Sequence, residues 1–85
     1  MTPRPTLRRA RLRFRGALDP VVFADFAARR AALLLLEATW GSATTEAFEC
    51  EVVGAPELVD AFQMACWLGP PHAMIDAVDI ERTAG

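Results

Sequence analysis

The sequence predicts an α+β sandwich in the order strand, helix, strand, strand, helix, strand, with a four-stranded antiparallel sheet and two helices on one of its faces. Three observations predict it. Leu7 to Arg15 alternates, Leu12 and Phe14 falling between Arg9, Arg11, Arg13 and Arg15, which is the period of a half-buried strand. The alanine-rich stretch Val21 to Leu36 that follows is apolar at helical spacing. The same succession then recurs, Phe48 to Val53 alternating and Pro56 to Leu68 repeating at helical spacing until Gly69-Pro70-Pro71 stops it.

Taken in order, residues 1–6, with Pro3 and Pro5, read as a flexible arm, residues 7–82 as one domain and residues 83–85 as a tail. The first strand ends in the turn Gly16-Ala17-Leu18-Asp19-Pro20-Val21-Val22-Phe23. There Asp19 followed by Pro20 reads as an N-cap with proline at the first helical position. The first helix spans about 21–34, its stripe formed by Phe23, Phe26 or Ala27, Arg30 or Ala31, and Leu34. Glu37 to Ser42 is a weaker strand with Trp40 as its core contact, and Ala43 to Glu46 is a hairpin loop without an Asn-Gly or Asp-Gly signal. In the third strand Phe48, Cys50 and Val52 face inward. Gly54-Ala55-Pro56 then opens the second helix, expected to bury Leu58, Phe62, Ala65 and Cys66. The last strand turns Ile75, Val78 and Ile80 inward, and the spacing of the first two calls for a bulge.

Composition bounds the function. Eighty-five residues, 53% of them apolar, suit a single core that buries about 60–65% of the unfolded surface. A net charge of -2 gives no bulk attraction to nucleic acid or to an anionic membrane. All nine basic residues are arginine, and lysine, asparagine and tyrosine are absent, a bias that reads as a GC-rich genome and points to a bacterium. No stretch approaches the ~20 apolar residues of a membrane span and no signal-peptide core follows the basic N-terminus, so the expected location is the cytoplasm. Cys50 and Cys66 lack any Cys-x-x-Cys or His-rich context, which argues for two buried thiols and against a metal site; no cofactor is implied.

The element order is ferredoxin-like, and from Arg11 to Glu81 the chain resembles the acylphosphatases. The closest stretch runs from Ala61-Phe62 through Trp67-Leu68-Gly69-Pro70-Pro71 to Ile75-Asp76-Ala77-Val78-Asp79-Ile80-Glu81. It is similar to the family's C-terminal half, where a helix ending in Gly-Pro-Pro leads into an alternating strand. Against the family's first-loop signature Gly-x-Val-Gln-Gly-Val-x-Phe-Arg, Gly16, Val21 and Phe23 match and Leu18 is a conservative stand-in. The resemblance places the phosphate-binding arginine at Ala24, the glutamine at Asp19 and the second glycine at Pro20. It places the water-positioning asparagine at Ser42, and a helix-ending glycine at Leu35, where a differently shaped junction is expected.

The resemblance implies hydrolysis of acyl phosphates without metal or covalent intermediate, loop amides and one guanidinium neutralising the phosphate while an amide side chain orients water. These residue types are replaced here. Ala24 carries no guanidinium, Pro20 lacks an N–H, and Ser42 reaches less far than asparagine. Asp19 sets a negative charge where phosphate would sit, costing about 3 kcal/mol per phosphate charge at ~5 Å and an effective dielectric of ~20.

Two further features need weighing. Arginines on an open sheet face would suit RNA binding, but no aromatic residue accompanies them, and the topology sets them between Glu49 and Glu51 on one side and Asp79 and Glu81 on the other. A ladder of ion pairs is the better reading, and no nucleic-acid partner is expected. His72, after the double proline, reads as a solvated loop residue. On the second helix Val59, Met64, Trp67 and Leu68 are assigned to the flanks or outside, either as the edge of the core or as a surface for a homodimer or a protein partner. The sequence therefore reads as an acylphosphatase-like domain without the family's catalytic groups, with a non-catalytic binding or assembly role. An acylphosphatase with an atypical site is the alternative, and an RNA-binding domain a more distant one.

Overall fold

The computed structural model describes residues 6–84 and carries β1 (Arg8–Ala17), α1 (Pro20–Leu33), β2 (Glu37–Ala43), β3 (Ala47–Gly54), α2 (Pro56–Leu68) and β4 (Met74–Ala84). Apart from Thr6, the arm expected over 1–6 lies outside these residues. The strands form one antiparallel sheet in the order β2-β3-β1-β4, so the most strongly alternating strand is central, as the ferredoxin-like reading requires. Ala10, Leu12 and Phe14 of β1 and Phe48, Cys50 and Val52 of β3 are buried on the face that both helices cover. Helix α1 lies against β2 and β3, and α2 against β1, β3 and β4.

The helices are held by their aromatic residues. The Phe23 ring sits 5.8 Å from Phe14 and 5.0 Å from Phe48, and with Ala27 and Ala31 it forms the buried stripe of α1. Full burial of a phenylalanine is worth roughly 1.5–3 kcal/mol, so these three rings are a principal anchor of the layer contact. In α2 the buried stripe is Val59, Phe62 and Cys66, with Leu58 packed half-buried beside it.

Several expectations change in three dimensions. Val59 is core, 1% exposed, because α2 is rotated so that its stripe centres on the 59–62–66 line. Trp40 contacts the Phe48 ring at 6.1 Å but stays 44% exposed, since β2 is an edge strand with no neighbour to cover it. At Leu35 the junction makes a left-handed turn with leucine where the resemblance placed a glycine: φ is 57°, the Leu35 N–H reaches the Ala32 carbonyl at 3.2 Å, and the Leu36 N–H reaches that of Ala31 at 2.9 Å. That is a Schellman closure, stabilised by the buried Leu36 against Ala31. The bulge in β4 is present, Arg15 pairing with Ala77 and Gly16 with Ile75, which leaves Asp76 as the extra residue. β4 continues past Arg82 into the expected tail, with Thr83 and Ala84 opposite Arg9 and Arg8.

Candidate functional site

The β1–α1 turn is shaped by three residues. Gly16 lies where β4 bulges, and a Cβ there would fall against the Met74 carbonyl oxygen closer than real contacts allow. Leu18 is buried and fixes the turn to the core. Asp19, with φ -91° and ψ 115°, is the N-cap, and Pro20 takes the first helical position.

Five of the turn's amides, those of Gly16, Leu18, Val21, Val22 and Phe23, are spent within the molecule. One oxygen of Asp19, Oδ1, accepts the N–H of Val21 at 2.9 Å and of Val22 at 3.1 Å. The Phe23 N–H donates to the Asp19 carbonyl at 2.9 Å. Gly16 and Leu18 donate to the carbonyls of Glu46 and Thr45, at 2.9 and 3.0 Å. Those two acceptors belong to the β2–β3 loop, expected from the sequence only as a hairpin loop. Its shape comes from Thr44, whose hydroxyl accepts the N–H groups of Glu46 at 3.1 Å and Ala47 at 3.0 Å. A threonine at the head of a short loop is the signal that would have marked this turn, but nothing local shows that its carbonyls meet another loop.

The other site positions add no positive charge. Ala24 is half-buried on α1 against the core. Ser42 is exposed on β2, in the irregular stretch between the Trp40–Cys50 and Ala43–Phe48 pairs. Arg15 points to the outer face of the sheet, its Nε 2.9 Å from Asp79 Oδ2. Arg29 pairs with Asp25 at 3.0 Å, and Arg30 lies over the Phe26 ring. A shallow cleft of about 370 Å³ does open beside the turn, lined by Asp19, Val22, Pro70, Pro71, His72 and Ala73. His72 is exposed there, as a solvated loop residue should be. The cleft's wall is mostly apolar and its charged contributor at the turn is an acid, which disfavours an anion.

On the outer sheet face the arginines form the ladder inferred from the alternation. Arg9 and Arg11 reach Glu51 at 2.6 and 3.5 Å, and Arg13 reaches Glu49 at 3.4 Å. These pairs are largely exposed, so each is worth no more than about 0.2–1 kcal/mol. Of the α2 surface residues, Met64, Trp67 and Leu68 are exposed, at 61%, 43% and 71%, whereas Val59 belongs to the core. Met64 and Trp67 line a groove of about 340 Å³ with Asp60, Gln63 and Arg82. Cys50 and Cys66 are buried free thiols. Burial pushes both up to about 12, with the neighbouring Cys50 adding to the effect on Cys66.

Among the described residues no three His, Cys, Asp or Glu side chains gather where a metal ion would be held, and no helix is long and apolar enough to cross a membrane. No protein-family model matches the sequence, and no curated protein matches it significantly. The fold is nevertheless similar to solved structures. An acylphosphatase from Coxiella burnetii superposes with a TM-score of 0.83 at 19% identity, over 93% of this chain and 83% of that one. An acylphosphatase from Bacillus subtilis does so with a TM-score of 0.81 at 17% identity, over 89% and 84%. Full-length HypF in its phosphate- and nucleotide-bound form matches with a TM-score of 0.82 at 19% identity, over all of this chain and 11% of that one. Likeness at such identities establishes a shared fold.

Proposed function

We propose that this chain is a non-catalytic domain of the acylphosphatase fold whose work is binding or assembly. The observation that carries the reading is the Asp19 carboxylate: it takes the two amides at the start of α1 that an incoming phosphate would need. The spent amides of Gly16 and Leu18 support it, as do the missing N–H of Pro20 and the methyl group of Ala24. Removing one electrostatic donor from such a site typically costs about 10²–10³ in rate, and here several are gone together. For the binding role the candidate surface is the α2 groove with Met64 and Trp67, next to Leu68, which fits a protein partner better than a small anion.

Phosphate release from acetyl phosphate, measured beside an authentic acylphosphatase, tests the catalytic half of this reading. The expected result is no turnover above the uncatalysed rate. Asp19→Gln, Pro20→Gly, Ala24→Arg and Ser42→Asn together should restore phosphate binding, whereas Ala24→Arg alone should form an ion pair with Asp19 and restore little. Wild-type turnover comparable to the reference enzyme and unaffected by Arg15→Ala would overturn the reading.

A further inference from the structure

Among the described residues both edges of the sheet are open, and they differ. β2 pairs regularly with β3 only from Glu37 to Trp40 before its register shifts, which leaves little straight edge for another strand to follow. β4 pairs with β1 without interruption from Ala77 to Ala84, so its free side is a long, regular row of backbone donors and acceptors. Asp79 and Glu81 stand on its outer face, opposite Arg13 and Arg11. Val78 and Ile80 lie half-buried on the helix side, and Arg82, the next residue along that face, lines the groove with Met64 and Trp67.

Charge decides what fits this edge. Antiparallel neighbours meet on the same face, so a second copy of β4 centred on Asp79, Ile80 or Glu81 sets two carboxylates against each other, and directly opposed like charges are destabilising. The opposite side of the same strand shows the accepted chemistry. There Arg13 faces Asp79, Leu12 faces Ile80, Arg11 faces Glu81 and Phe14 faces Val78.

We infer that the free edge of β4 takes up an extended segment of a protein partner with basic residues at alternate positions and apolar residues between them. Its basic side chains meet Glu81 and the exposed Asp79, its apolar ones cover Val78 and Ile80 and enter the groove beside Met64 and Trp67, and its backbone continues the ladder. This names the partner class for the binding role proposed above and rests on it.

The test uses a blocked peptide with the sequence Arg-Arg-Ala-Arg-Leu-Arg-Phe-Arg, that of residues 8–15, titrated into the full chain at about 0.15 M salt while backbone amide shifts are followed. Saturable binding is expected, with shifts confined to residues 77–84 and to Met64 and Trp67. Glu81→Lys and, independently, Met64→Glu should each weaken it by about tenfold or more, as should scrambling the peptide so that its arginines are contiguous. Equal binding of the scrambled peptide, shifts centred on β2 or on the arginine face, dimerisation of the chain through β4, or no saturation at about 1 mM peptide would each overturn the inference. Acyl phosphate turnover sinks the non-catalytic reading whatever the peptide does, whereas a silent titration without turnover sinks only the inference.

Discussion

The two helices begin on the same local plan, a strand, a glycine and a proline at the first helical position, yet their starts are built differently. Helix α1 carries its own anion, the Asp19 carboxylate holding two amides. Helix α2 starts from Ala55, which has no side chain to offer: the Leu58 and Val59 N–H groups share its carbonyl oxygen, and Glu57 supplies the negative charge in the first turn. What distinguishes the α1 junction is that its amides face a second loop and its own acid.

The sharpest contrast is at the glycines before each helix. Gly16→Ala drives a methyl group into the Met74 backbone, which cannot move without breaking the β1–β4 ladder, whereas at Gly54 the obstacle is the end of the Leu36 side chain. Denaturant titration should show a loss near the upper end of the ~1–3 kcal/mol of overpacking for Gly16→Ala and a clearly smaller one for Gly54→Ala. Equal losses would mean that the α1 junction is no tighter than its counterpart.

Alkali should act on the side of the core where α2 meets β3. Because the folded thiol pKa values are raised to about 12 from 9, stability is complete below pH 9 and falls as the pH rises from there through 12. The loss should be roughly 1 kcal/mol per thiol for each unit above 9. Comparing unfolding at pH 8 and 10 in the wild type and in a Cys50→Ala, Cys66→Ala variant checks this, the variant losing the slope.

Exchanging the caps tests the comparison directly. Asp19→Ala should cost about 1 kcal/mol, and Ala55→Asp, at a residue already extended at φ -60° and ψ 137°, should return a similar amount. If Asp19→Ala is neutral, the carboxylate is not a structural cap and the site reading loses its support. The smallest effect is expected at the opposite ends of the helices, where α2 closes through Gly69 at φ 70° and α1 through Leu35 at φ 57°. Leu35→Gly should raise stability by up to about 1 kcal/mol, since a left-handed leucine is strained and this one is 84% exposed.

Periodicity determined the element order, because alternation and helical spacing are local records of which face is buried, and that order, read as ferredoxin-like, set β1 in the centre of the sheet. The residue pair Asp19-Pro20 determined the cap, whose partners lie within three residues, and a break in spacing showed the bulge in β4. The register of β1 with β3 and β4 turned charge alternation into a ladder, as inferred. Only the tertiary structure decided that Val59 is core, since helical spacing defines a stripe but not the rotation with which the helix sits on the sheet. It alone decided that Trp40 stays half open on an edge strand and that Leu35 holds a left-handed turn without a glycine, the buried Leu36 and two hydrogen bonds outweighing the local strain. The spending of the Gly16 and Leu18 amides on Glu46 and Thr45 was likewise invisible, because the partners are far apart in sequence and meet only where the sheet brings two loops to the same end.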